Sequence, residues 1–543
     1  MKEANFKAEL AKLNPEQRQA VETIEGPVMV IAGPGTGKTQ ILTLRIANIL
    51  LQTDMQPENI LALTFTESGA KAMRERLKRY VGTVAYRVPI YTFHGFAQHL
   101  ISTYPEAFSR IIGGRPATDI EKVDLMESIL NNNEIKILRP MGDKTYYVPS
   151  LIRIISSLKQ EYIKPDDLVE IIAKQEQNLL SIEKIHQKGA HKGKVRGEYV
   201  KQEKVVAKNR ELLFVYKQYE QLLKDKRIYD FDDMIIETVQ ALKSNSDLLL
   251  DLQETYQYVL ADEHQDVNGS QNKILEYLTN FHESPNIFVV GDEKQAIFRF
   301  QGASLENFLY FMDLFPTTTK IVLTENYRSG QTILDAAHSL VRVEDDLLSS
   351  MRVPLEASLV KESLVCRRDF SHEAVEDDWL VKAIGEKLSN GTKPEEIAVI
   401  VRTNREVELL AERLQQKNIP VFASADGDIL DHPITESVQA LIDFVLSDVS
   451  EEAIFKVLHG AYWGLPTSDL IRIASARSFE RSLTSILTDR QVLTEIGVVE
   501  VDKALTIMTV QSKAREMEVY AAPHRVFRIL ARGQWILGTC HEV

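Results

Sequence analysis

Short apolar runs alternate with amphipathic helical patterns along much of the chain. Because a parallel sheet with both faces covered has strands that are continuously apolar, this alternation predicts an α/β fold with a parallel sheet. The strand-like runs are Val28–Ala32, Ile60–Phe65, Tyr258–Ala261, Ile287–Val290 and Ile321–Leu323.

Two long stretches show helical periodicity with few strand-like runs. The first, residues 99–228, interrupts the first α/β series. A second α/β series has strand-like runs at Glu396–Arg402, Ile419–Ala423 and Leu505–Val510, and the helical stretch 433–500 interrupts it. The pattern alone therefore predicts two α/β domains, each carrying a mainly helical insertion.

A chain of 543 residues is too long for one hydrophobic core, so several domains are expected. We predict a first α/β domain at 1–98 and 229–326, its helical insertion at 99–228, a second, incomplete α/β domain at 327–432 and 501–520, a shortened helical insertion at 433–500, and an atypical tail at 521–543.

Composition narrows the class of protein. Hydrophobic residues make up 44% and charged residues 26% of the chain, as in ordinary soluble proteins, and no apolar run is long enough to span a bilayer. A cytoplasmic location is expected. Two distant cysteines, Cys366 and Cys540, indicate neither a disulfide framework nor a zinc site. The net charge of −14 argues against a broadly basic surface but leaves room for a basic channel.

A complete phosphate-binding loop follows the first strand-like run. Its residues are Gly33, Pro34, Gly35, Thr36, Gly37, Lys38 and Thr39, and an amphipathic run, Gln40 to Leu51, follows them. The glycines let the backbone curl around phosphate oxygens, and the helix start offers free N–H groups. Lys38 would neutralise the terminal phosphates, and the Thr39 hydroxyl suits Mg²⁺. The loop predicts a nucleoside triphosphate site.

Acidic residues follow the run Tyr258–Ala261. Asp262 and Glu263 lie where an open parallel sheet binds ligands, at the carboxyl end of a strand. Triphosphate hydrolysis needs a carboxylate near Mg²⁺ and a group that orients or deprotonates water, and these residues fit the two roles. An acidic helix cap is the alternative reading.

Seven segments follow one another along the chain: LNPEQRQA, GPGTGKT, LALTFTESGAKAMRERL, YTFHGFA, LADEHQDVN, VVGDEKQAIFRFQGA and LTENYRS. In this order they resemble the motifs of UvrD/Rep/PcrA-like superfamily 1 DNA helicases. The resemblance is close from Leu13 to about Ser329 and looser to Val510. The family fold, two RecA-like P-loop domains with helical insertions, agrees with the organisation above.

The resemblance implies roles for individual residues around ATP and Mg²⁺. Gln17 resembles a glutamine that reads the adenine edge, and Tyr327 an aromatic that stacks on the base. Arg328 resembles an arginine finger on the γ-phosphate. Glu263 is similar to the family's catalytic base, and Thr39 and Asp262 to its metal-supporting residues. Gln265 and Gln295 resemble residues that sense the γ-phosphate and couple it to DNA contacts, whereas Asp266 and Asp292 are equally well read as loop braces.

The resemblance also implies a path for single-stranded DNA. The motif residues on that path are Phe65, Thr92, Phe93, His94, Phe298 and Phe300. Aromatic rings stack on bases without sequence preference, although an isolated phenylalanine is often a core residue. A basic run between Lys184 and Arg210 fits either duplex contacts at a strand junction or a solvated helix face.

The C-terminal part departs from the family pattern. After Leu505–Val510 the segment QSKAREM matches only in part, with Glu516 as a candidate ribose contact, and the resemblance is expected to stop at Val519. The final motif, with a second arginine finger, has no counterpart, which suggests truncation. Two hypotheses follow: an ATP-driven helicase that moves 3′ to 5′ on single-stranded DNA, or a remnant that binds ATP and DNA without productive unwinding. A P-loop ATPase acting on protein or RNA is a less favoured third.

Overall fold

The computed structural model describes residues 2–132, 134–140, 145–185, 194–292, 294–295, 303–340, 354–358, 363–423, 433–446, 451–460, 463–478 and 481–516. The chain forms two compact units, Met1–Cys366 and Arg367–Val543. No helix in these ranges is both long and apolar enough to cross a membrane. The predicted domain boundaries remain predictions.

The first unit is built on a six-stranded parallel sheet, as the apolar runs predict. Its strand order is β3-β2-β6-β7-β1-β8. Every pairing in this sheet is parallel. The strands are β1 (Val28–Ala32), β2 (Ile60–Thr64), β3 (Ile90–Thr92), β6 (Tyr258–Ala261), β7 (Ile287–Gly291) and β8 (Thr319–Leu323). Two-residue strands β4 (Arg115–Pro116), β5 (Ile228–Tyr229), β9 (Glu325–Asn326) and β10 (Glu356–Ala357) form two further parallel pairs.

Helices cover both faces of the sheet. Alternate residues of β1 enter opposite cores: Met29 and Ile31 pack on one side, and Val28 and Val30 on the other. The helices of this unit are α1 (Lys2–Leu10), α2 (Pro15–Glu22), α3 (Lys38–Gln52), α4 (Glu67–Val81), α5 (Phe93–Thr103), α6 (Asp119–Leu130), α7 (Val148–Gln160), α8 (Pro165–Ser181), α9 (Gly197–Asp225), α10 (Phe231–Ser244), α11 (Ser246–Thr255), α12 (Gly269–Thr279), α13 (Ala303–Leu314) and α14 (Gln331–Leu340).

The helical insertion has a core of its own, formed by α6 to α9. Strands β4 and β5 pair in parallel, with Arg115 beside Ile228 and Pro116 beside Tyr229. The chain therefore enters and leaves the insertion on neighbouring strands. Helix α5 instead contributes Phe96 and Leu100 to the core of the sheet. The predicted helical character of this region is confirmed.

A buried charge network joins the insertion to the sheet. Lys159, only 2% exposed, lies 2.6 Å from Asp230, 2.7 Å from Asp233 and 2.6 Å from Glu220. Arg110 also pairs with Glu220, at 2.6 Å. The three carboxylates are close enough together to hold a metal ion, but Lys159 and Arg110 already supply their positive charge. We therefore interpret the network as structural.

In the described part of the second unit, the regular secondary structure is helical. Its helices are α15 (Glu373–Ser389), α16 (Asn404–Gln416), α17 (Pro433–Leu446), α18 (Glu451–Leu458), α19 (Thr467–Ser475), α20 (Leu483–Thr488), α21 (Arg490–Glu495) and α22 (Val501–Glu516). The apolar segments 397–401 and 419–423 pack against α15 and α16 but form no β-ladder in the described part of the chain.

The three strands predicted for the second α/β series are not strands in the described residues, and the third is a helix instead. Leu505–Val510 lies within helix α22. Ala504, Ile507 and Met508, spaced three and four residues apart, are buried together among the helices of this unit. That spacing places one face of a helix on the core, and the short run was too brief to distinguish a strand from a helix.

Candidate functional site

The loop after β1 has the conformation that phosphate binding requires. Gly35 and Gly37 have left-handed backbones, with φ of 73° and 90°. A Cβ on Gly35 would lie 2.7 Å from atoms of Asn326 and Arg328, so a larger residue would collide with the segment after β8. Thr36 Oγ1 donates to the carbonyl of Gly33 at 2.7 Å and fixes the turn from inside. Helix α3 then begins at Lys38.

Parallel strands bring their carboxyl ends to one edge of the sheet. The loop after β1 therefore meets the residues that follow β6, β7 and β8. A cavity of about 490 Å³, here called the P-loop cavity, opens there. It is lined by Pro34, Gly35, Gly37, Lys38, Thr39, Gln40, Arg76, Glu263, Gln295, Tyr327 and Arg328. The structure thus brings together most of the predicted nucleotide residues.

The predicted catalytic base contacts the phosphate-binding lysine. Glu263 Oε2 lies 3.2 Å from Lys38 Nζ, and Glu263 itself has a left-handed backbone with φ of 48°. Gln265 Nε2 donates to the same Glu263 oxygen at 2.9 Å. Two donors therefore hold the Glu263 carboxylate in the cavity. One of them is the Lys38 ammonium, which would also bind a phosphate.

Asp262 is buried beside this pair. Burial, and next the negative charge of Glu263, raise the pKa of Asp262 to about 6. Burial also raises the pKa of Asp292, whose Oδ2 has no hydrogen-bond partner among the described residues. A nearby positive charge would stabilise the buried carboxylates of Asp262 and Asp292, and the loop beside them carries the Thr39 hydroxyl. Mg²⁺ prefers oxygen ligands of these kinds. The residues present fit that ion.

The end of the cavity near Tyr327 is held by a polar network. Asn14 Nδ2 donates to Tyr327 Oη at 3.2 Å and to Glu325 at 3.0 Å. Gln17 Nε2 donates to the Thr36 carbonyl at 2.8 Å, and Gln17 Oε1 accepts the N–H of Asn14. Each end of the Gln17 carboxamide thus has one partner, and one N–H and one lone pair are left for an adenine edge.

A second, smaller cavity lies at the carboxyl ends of β2 and β3. This aromatic cavity has a volume of about 180 Å³. Its lining residues are Phe65, His94, Lys159, Gln160, Asp232, Ile235, Asp266, Asn268, Ser270 and Gln271. Phe65 is 41% exposed, and the ring of His94 stacks on Phe231 with centroids 4.0 Å apart. Burial lowers the pKa of His94 despite nearby Asp232, which favours a neutral ring suited to stacking.

Two residues predicted to lie on the path of single-stranded DNA, Phe93 and Thr92, are buried and make contacts within the protein. Phe93 is 2% exposed and packs in the core of the sheet, so in this structure its ring is not available to stack on a base. Thr92 Oγ1 caps α5 by accepting the N–H of Gly95 and donates to Glu67. Phe298 and Phe300 lie outside the described residues.

The basic run at Lys184 to Arg210 is partly accounted for by local pairing. Arg196 pairs with Glu183, and Arg210 with Glu176. Lys184 lies over the ring of Tyr199. These contacts favour a solvated helix face for the described part of the run. His186, Lys188, His191 and Lys192 lie outside the described residues.

Sequence reasoning missed two residues at these sites. Arg76 lies on α4, remote in sequence from the loop it faces, so only a prediction of how α4 packs could have found it. Phe231 is 61% exposed yet stacks on His94. The sequence did contain a sign of this residue, because Phe231 is apolar and comes directly after the N-cap residue Asp230, at the first position of α10.

A parallel sheet with a phosphate loop after β1 and acidic residues after β6 is the arrangement of the P-loop nucleoside triphosphatase fold. Models of two protein families match the chain: the UvrD/REP helicase N-terminal domain over residues 13–316 and the UvrD-like helicase C-terminal domain over residues 321–528. The chain belongs to the UvrD/REP helicase family. The second match continues beyond Val519, where the resemblance was expected to stop, so that expectation was wrong.

Curated relatives agree with this assignment. The chain is 28% identical over 499 residues to the ATP-dependent DNA helicase PcrA of Staphylococcus epidermidis, covering 91% of this chain and 61% of that protein. It is 30% identical over 416 residues to the ATP-dependent DNA helicase PcrA of Staphylococcus aureus, covering 76% of this chain and 50% of that protein. The chain thus spans half to three-fifths of the length of these relatives.

Proposed function

We propose that this protein is an ATP-dependent DNA helicase or translocase that moves 3′ to 5′ on single-stranded DNA and acts at junctions of single and double strands. The observation that carries the proposal is the P-loop cavity, where Lys38, Glu263 and Arg328 converge on one space. The adjoining aromatic cavity and the relatives' printed name, DNA helicase, support DNA as the polymer.

The residues of the P-loop cavity have distinct tasks in hydrolysis. Lys38 and the N–H groups at the start of α3 bind the β- and γ-phosphates. Thr39 and Asp262 would hold Mg²⁺, which supplies positive charge to the phosphate oxygens when bound. Arg328 stabilises charge that develops on the γ-phosphate, and Tyr327 stacks on the base.

Glu263 orients and deprotonates the attacking water. In the structure its Oε2 is paired with Lys38, and a phosphate that takes over the lysine would release this oxygen for water. This exchange links proton acceptance to the arrival of substrate. Gln265 and Gln295, next to Glu263 and Asp292, complete the γ-phosphate contacts in this proposal.

Steady-state ATP hydrolysis with and without a single-stranded oligonucleotide, together with displacement of a labelled strand from a 3′-tailed duplex, tests the proposal. We expect DNA to stimulate hydrolysis, Lys38→Ala to abolish it, and unwinding to require a 3′ tail. Binding of ATP and oligonucleotide without turnover would instead establish a remnant that binds both ligands unproductively. Stimulation by RNA or protein alone would reject DNA as the substrate.

A further inference from the structure

A buried asparagine bridges the phosphate-binding loop and the segment that carries Arg328. Asn326 is 1% exposed and lies in β9, two residues before Arg328. Its Nδ2 donates to the carbonyl of Pro34 in the loop. Its Oδ1 accepts the backbone N–H of Arg328 at 2.9 Å and that of Ser329 at 2.8 Å. One side chain therefore holds both segments.

The partners of Asn326 determine the orientation of its amide. The oxygen end faces two N–H donors and the NH₂ end faces a carbonyl, so a reversed amide would lose all three hydrogen bonds. The backbone of Asn326 is held as well, because its carbonyl accepts the N–H of Ser358 at 2.9 Å. Buried polar groups that lose their partners are destabilising, so the arrangement resists rotation of the side chain.

The phosphate-binding loop and the Arg328 segment also touch directly. The N–H of Tyr327 donates to the carbonyl of Gly35 at 2.9 Å. A Cβ on Gly35 would lie 2.7 Å from Arg328 Cβ, so only glycine leaves room for the arginine at this point. The first carbon of the Arg328 side chain is thus placed against the loop that would hold the phosphates.

The guanidinium of Arg328 has no partner of its own among the described residues. Within those ranges it forms neither an ion pair nor a side-chain hydrogen bond, although Arg328 lines the P-loop cavity. Glu325, the nearest acidic residue in sequence, instead bonds to Asn14, Tyr327 and Ser358. Because no side-chain contact directs the guanidinium, the position of the Arg328 backbone decides where it can reach.

We propose that Asn326 is a positioning residue for hydrolysis, which ties the backbone of Arg328 to the phosphate-binding loop and so places the guanidinium at the γ-phosphate. The inference rests on the proposed function, in which Arg328 stabilises charge on that phosphate. Such positioning affects the rate of hydrolysis more than the affinity for ATP, because this charge develops in the transition state.

The test compares Asn326→Ala, Asn326→Ser and a matched control. Alanine removes all three side-chain hydrogen bonds, whereas a serine hydroxyl can still accept a nearby backbone N–H, more weakly than asparagine. Asn59→Ala is the control, since Asn59 likewise accepts a backbone N–H, from Gln56, and donates to a distant carbonyl, that of Thr255. Asn59 directly precedes β2, at the opposite end of the strands from the P-loop cavity.

Single-turnover hydrolysis at saturating ATP and oligonucleotide measures the rate, binding of a fluorescent ATP analogue measures affinity, and thermal melts check the fold. A misplacement of about 1 Å can lower a rate by about 10²-fold, so Asn326→Ala should be slower by about that factor while affinity changes little. Asn326→Ser should fall between Asn326→Ala and wild type, and Asn59→Ala should match wild type. If Asn326→Ala unfolds, Asn326→Ser carries the same comparison.

A double-variant cycle distinguishes positioning of Arg328 from general support of the loop. Adding Asn326→Ala, or Asn326→Ser, to Arg328→Ala should lower the rate no further, because each change removes the same guanidinium from the phosphate. If Asn326 only supported the loop, the two losses would add and ATP affinity would fall together with the rate.

The outcomes separate this inference from the proposed function. With Arg328→Ala slow, a normal rate in the Asn326 variants, additive losses, or an affinity loss as large as the rate loss overturns the inference and leaves the proposed function intact. A normal rate in Arg328→Ala, or a wild type that binds ATP without hydrolysing it, overturns the proposed role of Arg328 and the inference together.

Discussion

The ammonium of Lys38 and the carboxylate of Glu263 lie 3.2 Å apart in the P-loop cavity. The Lys38 side chain is 11% exposed and that of Glu263 35%, so the pair is partly screened from water. The ion pair holds the lysine in the cavity, where under the proposed function it would meet a phosphate.

Glu263→Gln should separate binding from hydrolysis. The amide cannot accept a proton from water, and loss of a general base typically lowers the rate by about 10²- to 10⁴-fold. ATP affinity should be retained, because Lys38 no longer has to leave an ion pair. Fluorescent nucleotide binding and steady-state hydrolysis measure the two effects. Glu276→Gln, a carboxylate paired with Lys273 on α12, is the matched control and should leave both unchanged.

Arg328→Lys should lower turnover far more than nucleotide binding. An arginine finger contributes about 10³- to 10⁵-fold in related phosphoryl transfer, and lysine cannot reproduce its bidentate geometry. Single-turnover hydrolysis at saturating ATP measures the loss. Arg87→Lys, at an exposed ion pair with Glu58, controls for the change of residue type. Near-normal turnover of Arg328→Lys would exclude the finger role.

Phe65→Ala and Phe231→Ala should each weaken binding of single-stranded DNA by about 1–3 kcal/mol, the usual loss when one stacking ring is removed. Anisotropy titrations at several salt concentrations measure it, with log affinity falling by about 0.7 per neutralised phosphate for each unit of log salt. Phe281→Ala is the matched control, since Phe281 is 40% exposed, like Phe65 at 41%, but neither lines the aromatic cavity, as Phe65 does, nor stacks on His94, as Phe231 does. Equal losses in all three would refute a specific path.

His264→Phe should make the first unit less sensitive to acid. His264 is buried between Phe308 and Phe311, and burial lowers its pKa to about 4. Its unfolded form, with a pKa near 6.5, binds a proton first as the pH falls. Stability from the neutral ring is thus complete above about pH 6.5 and declines by up to about 3 kcal/mol toward pH 4.

Denaturant unfolding of wild type and His264→Phe at pH 7 and pH 4.5 checks this expectation. Comparison of the two proteins isolates His264, because Asp262 and Asp266, whose pKa values are raised to about 6, titrate in both. The stability difference between pH 7 and pH 4.5 should be smaller in the variant. An identical difference in the two proteins would contradict a neutral buried His264.

The sheet and the loop after β1 could be predicted because local pattern determines them. A continuously apolar run such as β1 predicts a strand that is buried on both faces of a sheet. A glycine-rich loop directly after such a strand is typical of phosphate binding. Asp262 and Glu263 were identified for the same reason, since their position at a strand end determines what they face.

The rest depends on packing between distant segments. Arg76 reaches the P-loop cavity only because of how α4 lies on the sheet, and the apolar Phe93 could equally have been a core or a surface residue. Leu505–Val510 has strand-like composition, yet the helical neighbours Ala504 and Leu483 share its core. Sequence alone cannot rank such tertiary alternatives.

The parallel pair of β4 and β5 places the entry and exit of the helical insertion on neighbouring strands, about 5 Å apart. Arg115 and Ile228 can therefore be joined by a short linker without displacing the sheet. A gene could therefore exchange this region for one of different length, provided that the replacement again supplies a cation to Asp230 and Asp233, as Lys159 does here.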